Sequence, residues 1–204
     1  MIYLGLYEKS GEMAKPWAEA GYRCICVDIN GEPGIRDGIE FVRADILDWW
    51  PPNGEYAFVA AFPPCTHLAG SGARWWRSKG FAALAESLPL VAKAEQIAEW
   101  TGAPWFLENP VGRLSSIHKP DHIFDPCDYG GYLDPIGDQY TKRTCLWTGG
   151  GFVMPEPKRV DPVEGSKMHL LPPSEDRADL RSVTPGGFAR AVFEANAILE
   201  GAES

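Results

Sequence analysis

No run of about 18 apolar residues, the length a bilayer-crossing helix needs, occurs in this chain of 204 residues. The amino terminus, Met1-Ile2-Tyr3-Leu4-Gly5, has no charged stretch followed by a cleavable apolar segment. Membrane spanning and secretion are therefore not expected. Basic residues are in deficit: 19 Lys and Arg face 28 Asp and Glu, for a formal net charge of −9. That balance excludes a broad nucleic-acid coat, because non-specific binding depends on neutralising phosphates. Any DNA contact must be local, and residues 71–150 are the least acidic part of the chain. The five cysteines are an odd number, with Cys24 and Cys26 in one apolar run, which is not a disulfide framework. A reducing cytoplasm is the expected setting. Metal-ligand spacing is missing too. His118, His122, Cys127 and Cys145 match no common zinc pattern, and Pro120 breaks a helical His-x-x-x-His. No metal is expected, and there is no internal repeat or low-complexity tract.

What is present, 45% hydrophobic and 23% charged residues, suits a single globular domain spanning 1–204. Ile2 to Leu6, Cys24 to Asp28, Phe41 to Asp45, Tyr56 to Phe62 and Pro104 to Glu108 read as continuous apolar strands. Helical spacing is found at Met13 to Ala20, Ala82 to Glu99 and Phe188 to Leu199. Short strands are expected near Ile123-Phe124 and Thr144 to Trp147, within a Pro-, Gly- and Asp-rich stretch. Alternating strands and helices predict an α/β fold with a doubly wound, mostly parallel sheet, whose ligands collect beyond the carboxyl ends of the strands. Asp28, Asp45, Cys65 and Glu108 all lie at or just past such ends.

Pro63-Pro64-Cys65 sets a thiol on a stiff loop, since two prolines fix φ and remove two backbone donors. A lone buried cysteine would be the ordinary alternative. Glu108-Asn109-Pro110 ends the next strand, and Pro110 pushes Asn109 toward extended geometry. Gln139 to Thr148 leads Lys142 and Arg143 into a short strand, and Thr184-Pro185-Gly186-Gly187 precedes the last helix. Arg74-Trp75-Trp76-Arg77-Ser78-Lys79 interleaves cations and aromatics, a pattern that can neutralise phosphates and stack on bases. An amphipathic helix start burying Trp75 or Trp76 would give the same pattern.

Taken in order, Pro63-Pro64-Cys65-Thr66, Trp105 to Leu114 with its Glu108-Asn109-Pro110, Cys127-Asp128-Tyr129-Gly130 and Lys142 to Thr148 resemble the DNA cytosine-5 methyltransferases. The similarity is greatest to the short forms often found in bacteriophages. The resemblance implies a Rossmann-like class I methyltransferase fold and transfer of a methyl group from S-adenosylmethionine to carbon 5 of cytosine in DNA. It implies Cys65 as nucleophile, Glu108 as acid and ring anchor, Asn109 as support and Arg143 as pocket contact. It implies cofactor contacts from Tyr7, Gly11, Asp28, Ile29, Asp45, Ile46 and Pro63. Arg74, Arg77, Lys79 and Lys142 are the candidate DNA contacts.

Two positions depart from the family pattern. Gly5 stands where an acid is usual, and Lys9, with Glu8 beside it, stands where the first loop glycine falls. A close backbone approach there normally needs glycine, so weak cofactor binding is expected. The interval from Gly149 to Val183, with Met154-Pro155-Glu156-Pro157 and Leu171-Pro172-Pro173, is too short for a sizeable target-recognition domain. A short or relaxed recognition site follows. Two other readings use the same residues: modification of a free cytosine nucleotide, and a non-catalytic protein of the same fold that binds DNA or a partner.

Overall fold

Where apolar residues run without a polar break, the chain forms strands buried on both faces. The computed structural model describes residues 1–166 and 183–198; Leu171-Pro172-Pro173 lies outside them. The strands are β1 (Ile2–Leu6), β2 (Arg23–Asp28), β3 (Gly34–Arg36), β4 (Ile39–Arg43), β5 (Tyr56–Ala61), β6 (Trp105–Pro110), β7 (His122–Phe124) and β8 (Thr144–Gly149). The helices are α1 (Lys15–Glu19), α2 (Trp76–Thr101), α3 (Arg113–Ile117) and α4 (Gly186–Asn196). They build one eight-stranded sheet in the order β3-β4-β2-β1-β5-β6-β8-β7. β4, β2, β1, β5 and β6 are parallel neighbours, while β3 and β8 run antiparallel to the strands beside them. This is the doubly wound, mostly parallel Rossmann-like α/β fold that the strand pattern predicts.

Two layers of core follow from the two-residue period of the strands. Tyr3, Phe58 and Phe106 face α1 and α4, where they meet Trp17, Phe188 and Val192. Leu4, Leu6, Val59 and Leu107 face α2 and α3, where they meet Ala94, Ile97, Ala98 and Leu114.

Strict alternation of strands and helices does not hold. Between β2 and β5 the described chain carries no helix. β3 and β4 instead form a hairpin, closed by Asp37 (φ 50°) and Gly38 (φ 76°), with Arg36 opposite Ile39. Two left-handed residues in a two-residue loop match the right-handed twist of the strands, and Asp-Gly is a preferred pair there. β8, the last of the expected strands, inserts between β6 and β7 rather than adding at the edge. The long helix begins at Trp76 rather than Ala82 and is broken at Gly80 (φ 64°, ψ −162°).

The strand order reverses at β1: β2 and β4 lie to one side, β5 and β6 to the other. Loops leaving β1 and β5 therefore diverge and leave a crevice, the usual ligand position in an open α/β sheet. Residues 150–166 contain no strand or helix and lie as a strap across residues 127–141. The strap is held by Gly131 N to Lys158 O (2.9 Å), Val160 N to Cys127 O (2.9 Å) and Tyr132 Oη to Glu156 O (2.7 Å). No helix among the described residues is long and apolar enough to cross a membrane.

Candidate active site

Cys65 is exposed, four residues past the end of β5. Its carbonyl accepts hydrogen bonds from Leu68 N (2.9 Å) and Ala69 N (2.8 Å), which close a turn behind it. The loop is braced from the neighbouring strand. Asn109, 1% exposed near the end of β6, donates from Nδ2 to the Pro63 carbonyl at 2.9 Å. Further along, Gly70 N donates to Val111 O (2.9 Å) and Arg113 N to Leu68 O (2.7 Å). Pro63 itself is buried, so its contribution to any ligand contact is a fixed loop shape.

Glu108 precedes Asn109 on β6 and points to the opposite face, the one covered by α4. Its carboxylate lines a narrow cleft walled by Phe62, Phe124 and Phe188, with Lys142, Thr144 and Thr184 as the polar members. Glu108 Oε1 and Asn109 Oδ1 are buried without a hydrogen-bond partner, and orphan acceptors of this kind are rare. Burial pushes the Glu108 carboxyl above its ordinary range, and the Lys142 ammonium partly offsets the shift. Thr184 and Pro185 bring the start of α4 to the same cleft. Lys142 and Arg143 divide between the faces: Lys142 lines the cleft, while Arg143 is exposed and acts electrostatically on buried Cys145. The charge beside Glu108 is thus Lys142, which the sequence placed on DNA, and the alternation of adjacent residues entering β8 is the signal for it.

The crevice after β1 holds the second set of residues. Tyr7 (φ 57°) is half-buried and donates from its hydroxyl to Leu90 O at 2.9 Å. Burial, then the nearby Asp45 charge, raises its phenol above the ordinary value. Gly11 (φ 73°) is left-handed, and a Cβ there would stand 2.8 Å from the Phe41 ring. Asp28 ends β2 and accepts from Asn30 N (2.7 Å); Asp45 accepts from Leu47 N (3.0 Å). Each carboxylate therefore uses one oxygen to close its own turn. Ile29 is exposed, whereas the Ile46 side chain is in the core, so Ile46 can meet a ligand only through its backbone.

The departure at Gly5 and the Glu8 that stands beside Lys9 are one feature. Glu8, 3% exposed, turns inward: Oε2 accepts from Tyr3 Oη at 2.7 Å, and Oε1 accepts from Met13 N (2.9 Å) and Ala14 N (3.3 Å). A Cβ at Gly5 would lie 2.0 Å from Glu8 Oε2. The acid absent from position 5 occupies that space from position 8. Burial raises the Glu8 carboxyl, against the hydrogen bonds from Tyr3, Cys26, Met13 and Ala14. Lys9, next to it, is exposed.

Arg74 and Arg77 are exposed, as are Trp75 at 54% and Phe81 at 90%, and the Arg74 guanidinium stands 5.2 Å from the Trp75 ring. Trp76 is half-buried, with the Arg113 guanidinium 4.8 Å from its ring. Lys79 points back to the Cys65 loop and bonds the Thr66 carbonyl. His67, between them, was not among the sequence candidates; only its distance of two residues from Cys65 hinted at a role. Among the described residues no group of three or more His, Cys, Asp or Glu could hold a metal ion.

No protein-family model and no curated protein matches this chain. Among solved structures, the glycopeptide N-methyltransferase MtfA is 13% identical over 72% of this chain, with a TM-score of 0.31. A structure titled "DhpI-SAM-HEP complex" is 14% identical over 81%, with a TM-score of 0.30. The chain spans 64% of the length of each.

Proposed function

We propose that this protein transfers a methyl group from S-adenosylmethionine to carbon 5 of a cytosine in DNA, with Cys65 as the nucleophile. The observation that carries the reading is the Asn109 to Pro63 hydrogen bond. It couples the strand bearing the buried Glu108 to the loop bearing the exposed Cys65, so acid and thiol act as one rigid unit. The crevice residues fit an adenosine-bearing donor. Asp28 has a second carboxylate oxygen for a ribose hydroxyl, Asp45 and the Ile46 backbone stand at the next strand end, Tyr7 and Gly11 line the loop after β1, and Pro63 fixes the shape of the loop opposite. S-adenosylmethionine would supply an electrophilic methyl on a sulfonium sulfur there.

The chain's own residues account for the rest. The Cys65 thiolate forms a bond to carbon 6 of the ring, and the displaced π electrons reach carbon 5 as Glu108 gives its proton to N3. Burial favours the protonated carboxyl, and its orphan oxygen accepts from the exocyclic amine. After carbon 5 has gained the methyl group and lost its proton to a base, the carbon–sulfur bond breaks and N3 returns its proton to Glu108. A thiolate suits both steps, being a strong nucleophile and a good leaving group. The target base must leave the duplex, because carbon 6 cannot be reached in a stacked base.

DNA carrying 5-fluorocytosine tests this. With S-adenosylmethionine present, a covalent protein–DNA complex is expected for the native chain and none for Cys65→Ala. An equal adduct from both would remove Cys65 from the role. A second reading, with a free cytosine nucleotide as acceptor, is favoured by one observation: Lys79 and Lys142 are turned onto the protein's own loop and cleft. Labelled deoxycytidine monophosphate offered in competition with DNA separates the two.

A further inference from the structure

Lys79 belongs to a stretch, residues 56–85, that contains no Asp or Glu, where a lysine ordinarily meets phosphate. Its ammonium is spent elsewhere. Nζ lies 3.1 Å from the Thr66 carbonyl and 3.1 Å from His67 Nδ1, and His67 Nε2 lies 3.8 Å from Glu86 Oε2. An ammonium only donates, so His67 Nδ1 accepts and the ring proton resides on Nε2, facing Glu86. Thr66 and His67 are the first two residues after Cys65, inside the turn closed on the Cys65 carbonyl by Leu68 and Ala69. From the other side, Arg113 Nη2 donates to Trp76 O at 3.0 Å, tying the turn Trp76–Lys79 to α3. Gly80 separates that turn from the body of α2.

We propose that Lys79 is a positioning residue for Cys65, holding the Thr66-His67 backbone in the turn that presents the thiol. The role rests on the reading of Cys65 as nucleophile. Asn109 fixes the loop before Cys65 and Lys79 fixes it after, so the thiol is held from both sides. Without Lys79 the turn opens more often, and the fraction of molecules with a correctly placed nucleophile falls.

Lys79→Met keeps the aliphatic stem and removes the donor. In the DNA-free protein, hydrogen exchange at Leu68 and Ala69 is expected to quicken about tenfold, the order expected when hydrogen bonds from a charged group are lost. Lys79→Arg should restore most of the protection, and Arg77→Met, which removes the same charge, should leave it unchanged. In turnover, Lys79→Met is expected to lower kcat with little change in KM for DNA. Unchanged exchange overturns the proposal, as does weaker DNA binding whose log-log salt slope falls by about one, which is the signature of a phosphate contact. Because exchange is read without DNA or cofactor, a failure of methyl transfer would sink the function and leave this result standing.

Discussion

Glu8 and Glu108 are both buried carboxyl groups, and they differ in what surrounds them. Glu8 has donors on both oxygens, whereas Glu108 has an oxygen without any. Because the Glu108 pKa is raised in the folded chain, the folded state binds its proton more tightly than the unfolded state does. The stability it contributes is fully present below the ordinary carboxylate range of about pH 4 and is lost as pH rises through the folded value. Glu108→Gln removes that dependence. Urea unfolding should find the variant similar to the native chain near pH 4 and more stable than it at pH 7, while methyl transfer is lost. A variant less stable at pH 7 would mean that Glu108 is stabilised as an ion. At the other carboxyl, Gly5→Ala should destabilise the fold by roughly 2 to 3 kcal/mol through overpacking. Combining it with Glu8→Ala should cost less than the sum of the single changes. Thermal melts of the four proteins measure the coupling, and additive losses would show that the two positions do not share space.

At the scale of elements, the exposed aromatics near the start of α2 stand out. Trp75 and Phe81 flank the Gly80 break and share their stretch with Arg74 and Arg77 but no acid. Stacking on a base is worth about 1–3 kcal/mol per aromatic. Trp75→Ala and Phe81→Ala should each weaken DNA binding about tenfold or more, measured by fluorescence anisotropy, with circular dichroism unchanged. Unaltered affinity would assign these rings to something other than nucleic acid. The sequence made this segment visible through its composition, but not the direction of each side chain. Lys79 and Arg77 look alike in sequence, and only the backbone break at Gly80 and the position of Thr66 separate their roles. β1, β2, β5 and β6 were legible because strands buried on both faces read as unbroken apolar runs. The hairpin of β3 and β4 was not anticipated: Asp37-Gly38 carries the turn signal, but β3 is only three residues long and wholly exposed, which leaves it no apolar pattern. Glu8 could not be read inward, since a charged residue in a loop is ordinarily solvated and its burial depends on Tyr3 and α1 being in place.

For the molecule as a whole, the acidic charge and the inward-turned lysines limit the grip on DNA. Phosphate contacts from exposed Arg74, Arg77 and Arg143 alone would set the slope of log affinity against log salt at about −3. Binding measured between 50 and 200 mM salt, about the range over which such slopes are read, tests it, and a slope of about −6 would require a further phosphate track. The strap over residues 127–141 carries no secondary structure of its own, so modification should fall in relaxed or two-to-four-base contexts. Bisulfite sequencing from expressing cells decides this, and confinement to one motif of six or more bases would contradict it. The strand order also has a consequence for assembly. Among the described strands β7 pairs only with β8, and β8 covers the edge of β6, so β7 joins the sheet only through β8. Until they dock, the edge of β6 is open and the Glu108 carboxyl stays hydrated. Burial of that carboxyl therefore needs Lys142 and Thr144 at β8 and Phe188 of α4 as well as its own strand, so the proposed acid is assembled from segments far apart in the chain.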